Sequence, residues 1–289
     1  MSLVVEATGP LATVQDAGRP GLSDLGVGAS GAADRGAARL ANRLVGNPED
    51  AAVLEATLGG LALRADVPMT VAATGAPGDL LVDDRPVGHH CRVRVPAGAV
   101  VRLGQPPVGV RTYLAVRGGI AVDPVLGSRS TDVLADLGPA ALAVGDVLPV
   151  GEDAVELPAT DLAPVAPPPA GDVVARVVLG PRHDWFTPEA VRSLLSTRWA
   201  VGADSNRVGM RLEGPAMERA ADVTDAELPS EGVVRGSLQI ASSGRPTLFL
   251  ADHPVTGGYP VAAVVLDADT DALAQVRVGQ HLRFRATRA

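Results

Sequence analysis

The stretch Thr112-Tyr-Leu-Ala-Val-Arg-Gly-Gly-Ile120 decides the fold, because it resembles Thr247-Leu-Phe-Leu-Ala-Asp-His-Pro-Val-Thr-Gly-Gly-Tyr259 in the second half of the chain. Each copy is a run of strand-forming residues that leads into a Gly-Gly turn. Two further pairs of segments are similar: Leu142-Ala-Val-Gly-Asp-Val-Leu148 with Val276-Arg-Val-Gly-Gln-His-Leu282, and Gly59-Gly-Leu-Ala-Leu-Arg-Ala-Asp-Val67 with Gly214-Pro-Ala-Met-Glu-Arg-Ala-Ala-Asp-Val223. A biased composition also produces chance matches, but a repeat this long favours two duplicated β-domains over a solenoid.

The composition predicts a mostly β fold. Hydrophobic residues make up 46% of the chain and aromatic residues only 2%, so the core must be aliphatic. The 33 glycines and 24 prolines favour short strands joined by many turns. Helical spacing and capping residues occur in three segments, Ala33 to Val45, Thr187 to Leu195 and Thr270 to Gln275. We therefore expect barrel-like β-domains with a few short helices closing their ends.

A Pro- and Ala-rich segment divides the chain. Residues 157–171 (LPATDLAPVAPPPAG) show no periodicity and are typical of an extended linker. The predicted organisation is an N-terminal β-barrel-like domain at 1–156, the linker, and a C-terminal β-barrel domain at 172–289 that carries the candidate site.

Charge and cysteine usage exclude several functions. All 25 basic residues are arginine, so this chain has no Schiff-base lysine, P-loop lysine or biotinylated lysine. The net charge of −8 with no basic run argues against nucleic-acid binding. Cys91 is the single cysteine, which fits a reducing compartment, and its place beside His89 and His90 fits a strand better than a metal site. No signal peptide or long apolar run is visible, so we expect a soluble cytoplasmic protein that does not bind membranes.

Five polar segments in the second half predict the functional site. They combine charged and amide side chains with Gly and Pro, as loops that bind small polar molecules do. They are Gly180 to Phe186, Asp204 to Pro215, Leu228 to Gly232, Gln239 and Ala251 to Pro260.

We assign catalytic roles to three residues of these segments. His253, between Asp252 and Pro254, has the side chain best suited to acid–base chemistry near neutral pH. Asp252 and His253 can equally hydrogen-bond the backbone of their turn. Glu231 can accept a hydrogen bond from a substrate amide or act as a base.

Substrate binding is assigned to five other residues. Arg207 offers the fork that a carboxylate or phosphate prefers, with Asn206 beside it, although a pair of Asp204 with Arg207 closing a turn is an equal alternative. The remaining three, which carry amide, imidazole or phenol groups, are Gln239, His183 and Tyr259. In the N-terminal half, polar residues in Gly-rich turns can form a partner interface or a second site; they are Gln15, Asp16, Arg19, Arg117 and the Ser128-Arg129-Ser130 loop.

These motifs resemble those of the biotin-dependent carboxyltransferase family, also called the allophanate hydrolase subunit 2 or Kip antagonist family. The five polar segments share the resemblance with Thr13-Val-Gln-Asp-Ala-Gly-Arg-Pro-Gly21, Ser30-Gly-Ala-Ala-Asp34, Ala41-Asn-Arg-Leu-Val-Gly-Asn47, Val116-Arg-Gly-Gly-Ile120 and Gly127-Ser-Arg-Ser-Thr-Asp132. The resemblance covers nearly the whole chain and implies two cyclophilin-like β-barrel domains.

The resemblance implies three alternative functions. The first is the C component of an ATP-dependent 5-oxoprolinase, which opens pyroglutamate to glutamate together with subunits A and B. Here ATP acts at the level of the complex, and the second of these two partners is the allophanate hydrolase subunit 1 or Kip inhibitor-like protein. The second function is a carboxyltransferase acting on urea or a similar amide, with biotin supplied on another chain. The third is a non-catalytic regulator that antagonises a histidine-kinase inhibitor.

Overall fold

The structure, a computed structural model, describes residues 1–224 and 226–287. Within these ranges the chain forms two compact units. The first comprises Met1–Arg19, Ser30–Asp132 and Asp136–Pro168, and the second comprises Pro20–Ala29, Val133–Ala135 and Pro169–Ala289. The first unit therefore ends inside the segment predicted as a linker, and the second includes two short segments from the first half of the sequence.

The first unit consists of two antiparallel sheets around one core. Its elements are β1 (Ser2–Thr8), β2 (Leu11–Gln15), α1 (Arg35–Val45), β3 (Val53–Thr57), β4 (Leu61–Ala65), β5 (Met69–Gly75), β6 (Leu80–Val82), β7 (Arg85–Val87), β8 (Arg92–Val95), β9 (Val100–Leu103), β10 (Arg111–Val116) and β11 (Val147–Pro149). One sheet has the strand order β11-β1-β4-β9-β6-β7 and the other β2-β3-β10-β5-β8. Aliphatic side chains from both sheets, Leu63 and Leu114 among them, form a shared core.

Helix α1 begins and ends where the sequence predicts. The Asp34 side chain caps its first turn by accepting a hydrogen bond from the Ala37 amide at 2.9 Å, and Gly46 ends it with a φ of +67°. The helix packs against the five-stranded sheet through small and aliphatic residues, including Ala41 and Leu44. Its position fixes the Asn47 side chain, whose amide oxygen accepts from the Gly118 amide at 2.8 Å.

The second unit is built on a closed seven-stranded barrel. Its elements are β12 (Val173–Leu179), α2 (Pro188–Ser196), β13 (Trp199–Val201), β14 (Gly209–Glu213), β15 (Glu231–Gly232), β16 (Ser237–Ile240), β17 (Pro246–Phe249), β18 (Thr256–Gly257), β19 (Val261–Val265), α3 (Asp267–Leu273) and β20 (His281–Ala286). The barrel order is β12-β19-β16-β17-β14-β13-β20, closed by the parallel pairing of β12 with β20. Strands β15 and β18 form a separate two-stranded ribbon.

The barrel interior is filled by large side chains. Trp199 is fully buried and donates its indole N–H to the Leu194 carbonyl at 3.0 Å, which holds α2 against the barrel. Thr187 caps α2 as predicted, with Pro188 in its first turn. Helix α3 begins three residues earlier than predicted, because Asp267 and Asp269 favour a helix N-terminus. The predicted fold class is confirmed: a mostly β chain with barrel architecture and short helices.

The predicted repeat is visible in some of its segments. Gly145 and Gly279 both have positive φ, at +96° and +80°, and each precedes a strand that begins two residues later. The upstream pair does not match, because Leu61–Ala65 is strand β4 whereas 216–222 is irregular and enters a short 3-10 helix at Ala221–Val223.

The predicted linker begins as an extended segment attached to the first unit. Cys91 forms an isolated antiparallel bridge with Leu162, and the Arg92 amide donates to the Asp161 carbonyl at 2.8 Å. Cys91 therefore lies in extended backbone next to β8, in agreement with the strand interpretation. Burial raises the pKa of its thiol, and the charge of Asp161 adds to this.

Candidate functional site

The second unit brings the five polar segments together on its loops. The ribbon pairs Glu231 with Gly257, so the third segment lies against the fifth. Arg182 of the first segment contacts Glu231, and Arg207 of the second contacts Asp252 of the fifth. Gln239 donates its side-chain N–H to the Tyr259 carbonyl at 3.1 Å. The grouping of these segments was a sequence prediction about chemistry, and the structure supplies their contacts.

Arg207 and Asp252 form a buried ion pair. Their side chains are 1% and 0% exposed, and two hydrogen bonds join them, Nε to Oδ2 and Nη2 to Oδ1, both at 2.8 Å. The Val133 amide also donates to Asp252 Oδ2 at 3.1 Å. A carboxylate held in this way is an anchor for its loop, because each of its oxygens already accepts a strong hydrogen bond. The guanidinium thus pairs with Asp252 of a distant loop, whereas the sequence suggested Asp204 of its own turn.

Glu231 is paired with a cation. Its carboxylate accepts from Arg182 Nε at 3.0 and 3.1 Å and from Arg182 Nη2. This pairing lowers the pKa of Glu231 below its usual range. A carboxylate with a lowered pKa is a weak base, so the geometry favours a role for Glu231 in holding the ribbon to the first polar segment.

Two histidines of these loops donate to carbonyl groups. His253 Nδ1 lies 2.7 Å from the Pro254 carbonyl, and the ring is half-buried beside Phe249. His183 Nδ1 lies 2.8 Å from the Gly180 carbonyl on an exposed 3-10 helix. A carbonyl only accepts hydrogen bonds, so the neutral form of each ring carries its proton on Nδ1 and its lone pair on Nε2. That tautomer is the one a general base needs at Nε2.

Asn206 shapes the turn before β14. Its side-chain oxygen accepts from the amides of Val208 and Gly209, at 2.8 and 3.3 Å. This is the local side chain-to-backbone bonding that Asn commonly provides at turns.

The large cavity of the second unit lies beside these groups and takes in only one of the predicted side chains. It has a volume of about 750 Å³. Tyr259, which is 45% exposed, lines it. The other lining residues are Phe186, Met217, Arg219, Thr224, Ala226, Glu227, Leu228, Ala241, Ser242, Gly244 and Gly258.

Arg219 is the cation of this cavity, and the sequence interpretation missed it. Its guanidinium lies 5.6 Å from the centre of the Trp185 ring and donates from Nη1 to the Ala226 carbonyl at 2.9 Å. Within the described residues, its Nε and Nη2 hydrogens meet no acceptor. Glu227, Ser242 and the Tyr259 hydroxyl add further polar groups to the wall. The signal that could have identified this residue is Glu218-Arg219, the charged pair in an otherwise small-residue segment.

The polar turns of the first unit are held by their own hydrogen bonds. The Asp16 carboxylate accepts from the Gly18 amide, the Arg129 amide and the hydroxyls of Ser128 and Ser130, at 2.6 to 2.7 Å. Arg117 donates from Nη1 to the Val45 carbonyl at 2.8 Å. Gln15 and Arg19 are buried, and their side chains donate to backbone carbonyls of the 125–131 segment.

Within the part of the chain that the structure describes, no group of three or more His, Cys, Asp or Glu residues is arranged to hold a metal ion. None of the described helices is both long and apolar enough to cross a membrane.

A mostly β chain with a closed barrel and a polar loop site defines a class of small-molecule-binding protein, and comparison with known proteins defines the family. The model of the carboxyltransferase domain, subdomains A and B, matches residues 25–286. The chain is 36% identical over 285 residues to the C subunit of 5-oxoprolinase from Escherichia coli, covering 98% of this chain and 90% of that protein. It is 35% identical to the C subunit of 5-oxoprolinase from Haemophilus influenzae, covering 95% and 88%.

The fold comparison agrees. The crystal structure of the K. lactis urea amidolyase superposes with a TM-score of 0.89 at 31% identity, over 98% of this chain and 18% of the larger one. The chain belongs to the carboxyltransferase-domain family, and the predicted family resemblance is confirmed.

Proposed function

We propose that this chain is the C component of an ATP-dependent 5-oxoprolinase, which opens pyroglutamate to glutamate together with subunits A and B. The observation that carries the proposal is its similarity, over nearly the whole length of both proteins, to two proteins named as C subunits of 5-oxoprolinase. The match to urea amidolyase covers only 18% of that much longer chain.

The cavity of the second unit suits pyroglutamate chemically. This substrate carries one carboxylate and a lactam group with an N–H donor and a carbonyl acceptor. Arg219 supplies a guanidinium for the carboxylate, and its position over Trp185 holds it in place. Glu227 can accept from the lactam N–H, and the Tyr259 hydroxyl can donate to the lactam carbonyl.

The reaction breaks the lactam C–N bond and adds water across it. The hydroxyl joins the carbonyl carbon and the proton joins the nitrogen, which becomes the ammonium group of glutamate. His253, with its lone pair on Nε2 in the neutral ring, is the side chain we assign to proton transfer.

ATP use belongs to the assembled complex. The chain has no lysine and therefore no P-loop of the usual kind, so we assign the binding of ATP to subunits A and B. We place the complex in the cytoplasm, since a single cysteine and a nucleotide substrate fit that compartment.

Carboxyl transfer is the second candidate function. It is favoured by the description of the matching family model and by the superposition with urea amidolyase. Because this chain lacks lysine, carboxybiotin would be carried by another protein. A urea-like amide would then use the same hydrogen-bonding groups of the cavity, without needing the Arg219 charge.

The test is to purify this chain with subunits A and B and to measure pyroglutamate-dependent ATP hydrolysis and glutamate release. For Arg219→Ala we expect the KM for pyroglutamate to rise by about tenfold or more, because a charged hydrogen bond to the carboxylate is lost. Arg192→Ala is the control, since Arg192 is an exposed helix residue paired with Glu189.

Two outcomes would contradict the proposal. Absence of pyroglutamate-dependent turnover in a stable three-chain complex would exclude the 5-oxoprolinase function, and urea-dependent consumption of carboxybiotin would then establish the second candidate. Normal turnover with an unchanged KM in Arg219→Ala would keep the function and remove the cavity as the carboxylate site.

A further inference from the structure

A second cavity lies in the first unit, among loops that the proposed reaction does not use. It has a volume of about 240 Å³, smaller than the ~300–1,000 Å³ typical of sites for drug-sized ligands. Its wall consists mostly of backbone and small side chains: Ala17, Gly18, Pro48, Ala51, Ala52, Gly118, Gly119, Ile120, Ala121, Gly127 and Gly151. Small residues let a ligand approach the backbone closely. The remaining lining residues are charged, namely Asp16, Asp50, Arg129 and Asp153.

Arg129 is fixed in place but keeps donors for a ligand. Its backbone amide donates to Asp16 Oδ2 at 2.6 Å, and its Nε donates to the Val122 carbonyl at 2.7 Å. Within the described ranges its two η nitrogens have no hydrogen-bond or ion-pair partner. A guanidinium held by its own backbone and Nε is pre-organised to bind a carboxylate through the η nitrogens.

The carboxylates of the wall divide into two kinds. Asp16 accepts four hydrogen bonds from its own loops and is therefore committed to holding them. Asp50 and Asp153 have no hydrogen-bond or ion-pair partner among residues 1–224 and 226–287, and both are exposed at the cavity. The same wall thus offers one cation and two anions that no neighbouring side chain satisfies.

The loops around this cavity also hold buried polar atoms that need partners. Gln15 Oε1, Arg19 Nη1 and Thr131 Oγ1 are buried and make no hydrogen bond within the described chain. Their residues flank Asp16, Gly18 and Arg129 in sequence. Buried polar groups are nearly always hydrogen-bonded in native proteins, so ordered water or ligand atoms complete this network.

From this juxtaposition we infer that the first unit binds a small zwitterion of the α-amino acid class, with its carboxylate on Arg129 and its ammonium group between Asp50 and Asp153. A metal ion is not favoured, since no described group of His, Cys, Asp or Glu is arranged to hold one. A simple anion would meet two unpaired carboxylates, whereas a zwitterion meets both signs of charge. The inference stands on the first unit alone. Only the choice of glutamate as a probe rests on the proposed function, whose product it is.

The test is calorimetric titration of the purified full chain at low salt with four probes: L-glutamate, L-alanine, glutarate and pyroglutamate. We expect saturable binding of an amino acid, and at least tenfold weaker binding of glutarate and pyroglutamate, which lack the ammonium group. Arg129→Ala should weaken amino-acid binding by about tenfold or more, as loss of charged hydrogen bonds does. Asp153→Asn should weaken it too, and because this exposed side chain has no described partner, the variant should fold normally.

Arg85→Ala is the matched control, since Arg85 is an exposed arginine of the same unit that does not line the cavity. The inference is overturned if neither amino acid binds at millimolar concentration. It is also overturned if glutarate binds as well as glutamate and Asp153→Asn changes neither. These titrations use this chain without its partners, so their failure leaves the turnover test of the complex unaffected.

Discussion

The buried pair of Arg207 and Asp252 predicts a large and specific loss of stability. Arg207→Ala leaves the Asp252 carboxylate, which is 0% exposed, without its cation. Removing one member of a buried ion pair costs about 3–5 kcal/mol, because the remaining charge stays desolvated. With a urea m-value of about 2 kcal/mol/M, a loss of about 4 kcal/mol lowers the unfolding midpoint by about 2 M. That is a large share of the ~5–15 kcal/mol that stabilises a typical domain.

The assay is urea unfolding followed by intrinsic fluorescence. Trp185 and Trp199, the only tryptophans of the chain, both lie in the second unit, so their emission reports the unit that holds the pair. The control is Arg198→Ala, which removes a half-exposed partner of Asp172 and should leave the midpoint unchanged, because exposed ion pairs contribute little.

A double variant separates structure from chemistry. Arg207→Met with Asp252→Leu removes both charges and should recover most of the midpoint lost in Arg207→Ala, because a well-packed apolar pair often replaces a buried ion pair. Recovery will be incomplete, since the Val133 amide loses its acceptor, at a cost of about 1–3 kcal/mol. A normal urea midpoint for Arg207→Ala, combined with lost turnover in the complex, would refute this reasoning and restore Arg207 as a substrate-binding residue.

Two further predictions concern the first unit. Burial, with repulsion from His90, lowers the pKa of His89 from 6.5 to about 4, so between these values the unfolded state binds more protons than the folded state. The unfolding free energy should therefore fall as the pH drops through this window, by about 3 kcal/mol in full, and His89→Gln should flatten the dependence measured by amide hydrogen exchange; equal slopes would contradict this. Gly118→Ala places a Cβ 2.0 Å from the Gly151 carbonyl oxygen at a φ of +99°, and should cost more than about 3 kcal/mol by thermal unfolding. Gly119→Ala, whose nearest contact is 3.4 Å, should cost only about 1–2 kcal/mol, and equal losses would show that the clash is relieved.

Local features of the fold could be predicted from the sequence because their causes are local. Asp34 and Gly46 at the ends of α1, and Thr187 with Pro188 at the start of α2, act within one helical turn. The mostly β class followed from composition and turn residues. By contrast, the extended pairing of 90–92 with the predicted linker depends on which strand edge is available, and no periodicity encodes that.

The candidate site was predicted only in outline, for a related reason. Polar residues on Gly- and Pro-rich loops could be recognised one segment at a time, but their partners are 45 and 49 positions away in the pairs Arg207–Asp252 and Arg182–Glu231. A sequence shows charge without showing which charges neutralise each other. Arg219 was missed because its segment was interpreted as a copy of the strand that contains Arg64, whereas its backbone is irregular.

The pairing of charges changes where chemistry is expected. Four of the polar side chains in the predicted site are bound to each other, Arg182 with Glu231 and Arg207 with Asp252, and each pair fixes one loop of the barrel. A substrate carboxylate that bound to either arginine would have to displace a carboxylate that is already in place. Arg219 presents no such competitor among the described residues, and its cavity is bordered by Gly258 and Tyr259 of the loop that also carries His253. The ion pairs therefore act as the scaffold that holds this loop, and the binding of an anionic substrate falls to Arg219.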